Sequence, residues 1–248
     1  PGSETDKNAK AGDRVTCISP DAFGGDVLPV TGAQLPYNVD TFPEGVGRVY
    51  TGGQKIVFDY HYFNTTAEPI KAKSAVNFHT TDPANIKRHA QSFGFYNFGI
   101  SIPPGASESF IQECTFDQDV LVHKLTRHTH KWGTDFSVWF AGGERDGEHV
   151  FTSEHYEDVD FPFEEPVLLK AGEGFRFECA FENTEDYPRK FGVKASDEMC
   201  ILFGSWFATE DGTGSQLPQQ SCAKIDRAWR GRCRHPAEHR KRATEGRP

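Results

Sequence analysis

Short alternations of apolar and polar residues, broken by glycine and proline, fill this chain, and no long stretch repeats with the helical period. A period-two run turns its apolar side chains to one face of an extended segment and its polar ones to the other. The longest early run covers residues 54–63, and further strands are predicted over 72–79, 93–102, 108–116, 120–130, 135–140, 149–156, 174–182 and 198–207. Pro103-Pro104-Gly105, Gly142-Gly143, Asp146-Gly147 and Ala171-Gly172 punctuate them as turns. Strands repeating at about ten-residue intervals point to an all-β, jelly-roll-like antiparallel β-sandwich rather than to alternating β/α units. Only residues 222–232 read as helical.

Composition agrees with an all-β reading: 21 phenylalanines stand against one methionine in 248 residues. The formal charge of -9 hides an asymmetry, because residues 224–248 hold nine Lys and Arg against three acids, leaving 33 acids and 18 bases in the rest. So acidic a body repels nucleic acid, and the basic tail reads as a solvated terminus. No apolar run is long enough for a transmembrane segment and none reads as a signal peptide. The start at Pro1-Gly2-Ser3, without methionine, suggests a processed or engineered end, from which a leader could have been removed.

Six cysteines, Cys17, Cys114, Cys179, Cys200, Cys222 and Cys233, lack the C-x-x-C spacing of a zinc or redox centre. They read as structural disulfides of an oxidising compartment, so the protein is expected to be secreted, periplasmic or extracellular; spacing alone does not pair them. Asn64-Thr65-Thr66 is a glycosylation sequon.

The chemistry concentrates in two places. In His128-Thr129-His130, two imidazoles two residues apart on an extended segment project to one side and can grip one ion. Met199, the lone methionine, stands in Asp197-Glu198-Met199-Cys200 and offers a soft thioether, which favours Cu(I) over harder ions. A His-x-His pair by itself is more often structural than a ligand. His61 shares a strand face with Val57, Asp59 and Phe63, where a lone histidine usually bonds a neighbour. The chain has no Gly-x-Ser-x-Gly nucleophile elbow and no Gly-x-Gly-x-x-Gly loop.

Taken in order, Asp59-Tyr60-His61-Tyr62, Ile102-Pro103-Pro104-Gly105, Cys114, His128-Thr129-His130-Lys131-Trp132-Gly133, Arg145-Asp146-Gly147, His155-Tyr156, Cys179 and Asp197-Glu198-Met199-Cys200 resemble the copper type II, ascorbate-dependent monooxygenases. The likeness runs from about residue 42 to 207. It implies His128, His130 and Met199 as ligands of the copper where dioxygen and substrate meet, and ascorbate or another external reductant. His61 matches one histidine of the family's second, electron-transferring copper. The adjacent histidine pair of that centre has no counterpart, since the chain contains no His-His: either the chain is a fragment lacking most of the first domain or the protein works with one copper per chain, and His61 is a remnant site that another residue or a partner chain could complete.

Peptide-amidating members of the family carry an arginine, an asparagine and a tyrosine where this chain has Thr126, Ile201 and Phe203, so a carboxylate clamp is missing. Arg127 is adjacent, but strand parity turns it away from the His128 face. The resemblance further implies disulfides Cys179–Cys200 and Cys114–Cys222, leaving Cys17 and Cys233 as a third pair.

The expected organisation is a flexible N-terminus over 1–13, a reduced first-domain remnant over 14–82, a catalytic-copper sandwich over 83–223 and a short helical, basic tail over 224–248. The expected function is hydroxylation of a C–H bond of a small-molecule substrate by dioxygen beside an apolar pocket that Trp132 and Phe203 line. The alternative is a secreted copper-binding protein, for storage, uptake or sensing, without turnover.

Overall fold

The computed structural model describes residues 30–33, 35–58, 62, 64–155, 157–210 and 220–224, with Lys10 and Gly12 besides. Among them run thirteen strands: β1 (Val46–Gly47), β2 (Arg88–His89), β3 (Gln91–Tyr96), β4 (Ser101–Ile102), β5 (Ser107–Phe116), β6 (Val120–His128), β7 (Gly133–Ala141), β8 (His149–Ser153), β9 (Asp160–Leu169), β10 (Gly174–Glu182), β11 (Arg189–Lys190), β12 (Ile201–Ala208) and β13 (Gln220–Lys224). The only helical element described is a 3-10 turn, Pro83–Asn85.

Two antiparallel sheets make the body. One has the order β13-β5-β10-β7-β8 and the other β3-β12-β6-β9. The alternation read from the sequence supplies their inner faces. Phe175, Phe177, Cys179 and Phe181 of β10 turn inward beside Phe136, Val138 and Phe140 of β7. Phe93 and Phe95 of β3, with Leu202 and Trp206 of β12, line the opposing sheet. The rings meet edge-on as well as stacked, Phe93 lying 5.1 Å from Phe116 and Phe151 3.6 Å from Phe161. This is the phenylalanine-rich core of an all-β sandwich.

Two disulfides fasten it, Cys114–Cys222 and Cys179–Cys200. The first joins residues directly opposite each other on β5 and β13. The second runs from β10 in one sheet to the residue preceding β12 in the other, and so crosses the core. Both are the pairs that the resemblance implied. Cys17 and Cys233 lie outside the described residues.

Several expectations need correction. Residues 222–224, expected to be helical, belong to β13, where Cys222 is held against Cys114. The described residues of 54–63 and all of 72–79 form no strand. Ile56, Val57, Phe58, Val76 and Phe78 are exposed there. Alternation creates an apolar face but not the neighbouring edge that a strand needs. Conversely, β9 forms over a stretch for which no strand is expected, and it does so despite Pro162 and Pro166. It pairs only with β6, an outer position where a missing N–H is tolerated.

A strap over 38–48 crosses the four-stranded sheet. Lys124 Nζ reaches Asp40 at 2.7 Å, Arg48 donates to Ser92 Oγ at 2.7 Å, and the Phe42 ring meets His123 at 5.5 Å. β1 pairs with β2 just beyond.

Candidate metal centre

The β6–β12 ladder decides where the candidate residues fall. In it Phe203 stands opposite Thr126 and Ile201 opposite His128, so these four share one face of the sheet, turned away from the core. Leu125, Arg127 and Thr129 take the other parity and are buried. Arg127 behaves as its parity requires. Its guanidinium donates to Ser153 Oγ at 3.1 Å, to the Asp158 carbonyl at 2.9 Å, to Thr129 Oγ1 at 3.0 Å and to the His155 carbonyl. It is spent on the fold and does not face His128.

His128 ends β6, and His130 follows in the turn to β7. Their rings lie 5.2 Å apart between centroids and nearly perpendicular, at 85°. Gly133 lets the turn close: a Cβ there would lie 2.5 Å from Thr129 Oγ1 and 2.7 Å from Thr129 Cβ. His130 Nδ1 lies 2.9 Å from the Asp197 carbonyl oxygen, which can only accept. Nδ1 is therefore the donor, and in the neutral ring the lone pair is left on Nε2.

Met199 precedes β12 by two residues and is buried. Its segment is bound to the histidine turn by Glu198, whose Oε2 accepts the N–H groups of His130 at 2.9 Å and Met199 at 3.2 Å. Glu198 Oε1 accepts the Trp132 N–H at 2.8 Å. Burial lifts the Glu198 carboxyl to about 7; the Trp132, His130 and Met199 amides and the charge of Arg189 oppose the rise. In the sequence Glu198 stands inside the Asp197-Glu198-Met199-Cys200 motif with no role of its own. A charged residue between an aspartate and a methionine carries no local sign that it will be buried.

Trp132 turns into the protein. Arg189 stacks on its ring at 3.5 Å and on the Tyr187 ring at 4.0 Å, and Lys131 approaches it at 4.9 Å. Phe203 remains half-buried, 6.5 Å from the His128 ring and 5.7 Å from Tyr96. Tyr96 stacks on Phe98 at 5.7 Å, and Phe98 meets Phe191 at 4.8 Å. Gly94 leaves room for this: a Cβ would come within 2.8 Å of the Tyr96 ring. An aromatic shelf thus borders His128, with Phe98 64% exposed at its rim. Burial raises the Tyr96 phenol.

The segments that carry His128, His130 and Met199 thus meet at one end of the four-stranded sheet, whereas His61 lies outside the described residues. The family model for the C-terminal domain of copper type II ascorbate-dependent monooxygenases matches residues 93–227. The chain belongs to this family. The match spans both sheets and both described disulfides, and it makes copper-dependent monooxygenase chemistry the setting in which the histidine turn and the methionine segment are to be understood.

Proposed function

We propose that the protein is a monooxygenase holding one copper ion on His128, His130 and Met199. It hydroxylates a C–H bond of a small apolar substrate with dioxygen and an external reductant such as ascorbate. The observation that carries this reading is the joining of the turn that bears two neighbouring imidazoles, 5.2 Å apart between ring centroids, to the methionine segment through Glu198 and Asp197. The donor set suits the metal: two neutral ring nitrogens with a thioether form a soft, low-charge site that favours Cu(I) over zinc. Copper bound there would supply dioxygen binding and activation.

The remaining work falls to the chain. The Asp197 carbonyl fixes the His130 tautomer and so presents Nε2. Phe203, Tyr96 and Phe98 form an apolar surface beside His128 that excludes water and takes a flat or hydrocarbon part of the substrate. Nothing described on this face clamps a carboxylate. Thr126 Oγ1 donates to Asp160 at 2.7 Å, Lys124 is held by Asp40 and Asp160, and Arg127 points inward. Substrates without a carboxylate are therefore favoured over peptide ends.

In this reading residues 83–223 form the catalytic unit and 14–82 derive from a reduced first domain. Electrons come from the external reductant, or through a second copper completed at His61 by a partner chain. The disulfides suit an oxidising compartment, hence secretion. Among the described residues, no helix is long and apolar enough to cross a membrane.

X-ray absorption of the Cu(I) form tests the ligand set, with two imidazoles and one sulfur expected per copper. Ascorbate-driven oxygen uptake with neutral aromatic substrates tests turnover. Tight copper binding with no oxygen uptake would leave a copper-binding protein instead, and no copper after reconstitution would end both readings.

A further inference from the structure

We propose that Glu198 is a positioning residue that fixes the methionine segment against the two histidines before any metal enters. The inference rests on the reading of His128, His130 and Met199 as ligands. Glu198 is wholly buried, and a buried carboxylate needs partners. Its three recorded hydrogen bonds all come from backbone amides, two in the histidine turn and one at Met199. Arg189, whose charge weakly favours the ionised carboxylate, is stacked on the Trp132 ring at 3.5 Å and pairs with Glu185 at 3.7 Å.

The place of this clasp in the fold gives it meaning. The β6–β12 ladder ends at the pair His128–Ile201. Continued by two residues, the same register would set Met199 opposite His130. The ladder is not continued. β6 stops at His128 and β12 starts at Ile201, so both segments leave the sheet just where the ligands must be held. Glu198 Oε2 bridges the amides of His130 and Met199 across that gap. The methionine segment is held besides by Asn97 N–H to the Cys200 carbonyl at 3.0 Å, Glu198 N–H to the Lys190 carbonyl at 3.0 Å, Gly192 N–H to the Glu198 carbonyl at 3.2 Å and the contact of His130 Nδ1 with the Asp197 carbonyl at 2.9 Å.

A methionine side chain is flexible, so the position of its backbone largely sets where the sulfur can reach. A carboxylate suits the task because each oxygen accepts. Glutamine would turn an N–H2 group toward one of the amide donors and lose at least one of the three bonds.

Glu198→Gln and Glu198→Ala test the proposal at two levels. In the metal-free protein, hydrogen exchange at the His130, Trp132 and Met199 amides is expected to quicken by at least tenfold in Glu198→Gln, with the amides of β10 unchanged. On loading with Cu(I), the sulfur contribution to X-ray absorption should weaken or vanish while two imidazoles remain. Cu(I) affinity should fall by about 10- to 100-fold. A merely structural glutamate would lower thermal stability and leave the sulfur signal alone.

The proposal is overturned if Glu198→Gln, folded by near-ultraviolet circular dichroism, keeps wild-type amide protection, or keeps wild-type sulfur scattering and affinity. If Glu198→Ala does not fold, the glutamine variant decides. If the wild-type protein itself shows no sulfur scatterer, the ligand reading has failed, and amide exchange alone then tells whether Glu198 fixes the two segments.

Discussion

Cys179 is bonded to Cys200 across the core, and Cys200 is the residue that follows Met199. The bond therefore does two things at once. It joins β10 to the start of β12, and it denies the methionine segment the freedom to swing away from the histidine turn. Cys179→Ala/Cys200→Ala removes a crosslink spanning 21 residues. The expected loss is about 3 kcal/mol of unfolding free energy by the loop-entropy account. Urea denaturation measures it, and a weaker sulfur signal in the Cu(I) form should accompany it. Unchanged stability would mean that packing alone holds the segment.

Met199 is both a buried side chain and the proposed soft ligand, and one substitution separates these roles. Met199→Leu conserves volume and should cost under about 1.5 kcal/mol of stability. It removes the thioether, so the sulfur scatterer should disappear, Cu(I) affinity drop and ascorbate-driven oxygen uptake cease. Retained uptake would show that the sulfur is dispensable.

Phe98 stands at the open edge of the aromatic shelf, stacked on Tyr96. Phe98→Ala should change stability by no more than about 0.5 kcal/mol, as for other exposed positions. Copper loading should be unaffected. Binding of a neutral ring such as indole, followed by saturation-transfer NMR on the metal-free protein, should weaken by roughly tenfold, the worth of one aromatic contact. Equal binding by wild type and variant would move the substrate elsewhere.

Acid sensitivity should trace to His123. It is buried between Phe42 and Phe207, its Nε2 has no hydrogen-bond partner among the described residues, and burial lowers its pKa from 6.5 to about 4. Asp40 opposes the shift, while Lys124 and Arg48 add to it. The unfolded chain takes up a proton on this ring as pH falls below about 6.5, whereas the folded chain resists until about 4. Stability is thus fully present above this window and is lost as pH falls through it, by up to about 3 kcal/mol. In His123→Gln the difference in unfolding free energy between neutral and mildly acidic buffer should shrink by that order. An undiminished difference would place the acid response in other groups.

Much of the core was legible in the sequence. The phenylalanines of β10 and β7 alternate with polar residues, and a period of two admits one inner face. The candidate ligands were legible as well, because a lone methionine and a His-x-His pair are rare and local. The strandless stretch over 72–79 shows the converse. Its alternation is as good as that of many true strands, but a strand exists only where another chain segment offers its hydrogen-bonding edge. β9 gains that edge on β6 despite two prolines, and no run of its own residues announces it.

The sequence by itself determined which faces are apolar, which cysteines and soft donors are available, and that the chain folds as a sheet protein, since these follow from side-chain chemistry and local period. The tertiary structure decided the rest: which edges pair, that Arg127 is consumed by loop carbonyls, that Phe98 and Tyr96 shelve the His128 face, and that Glu198 closes the gap beyond the β6–β12 ladder. The reason is physical. A hydrogen bond between His130 and Glu198 joins residues 68 positions apart, and only the packing of two sheets brings such groups within reach.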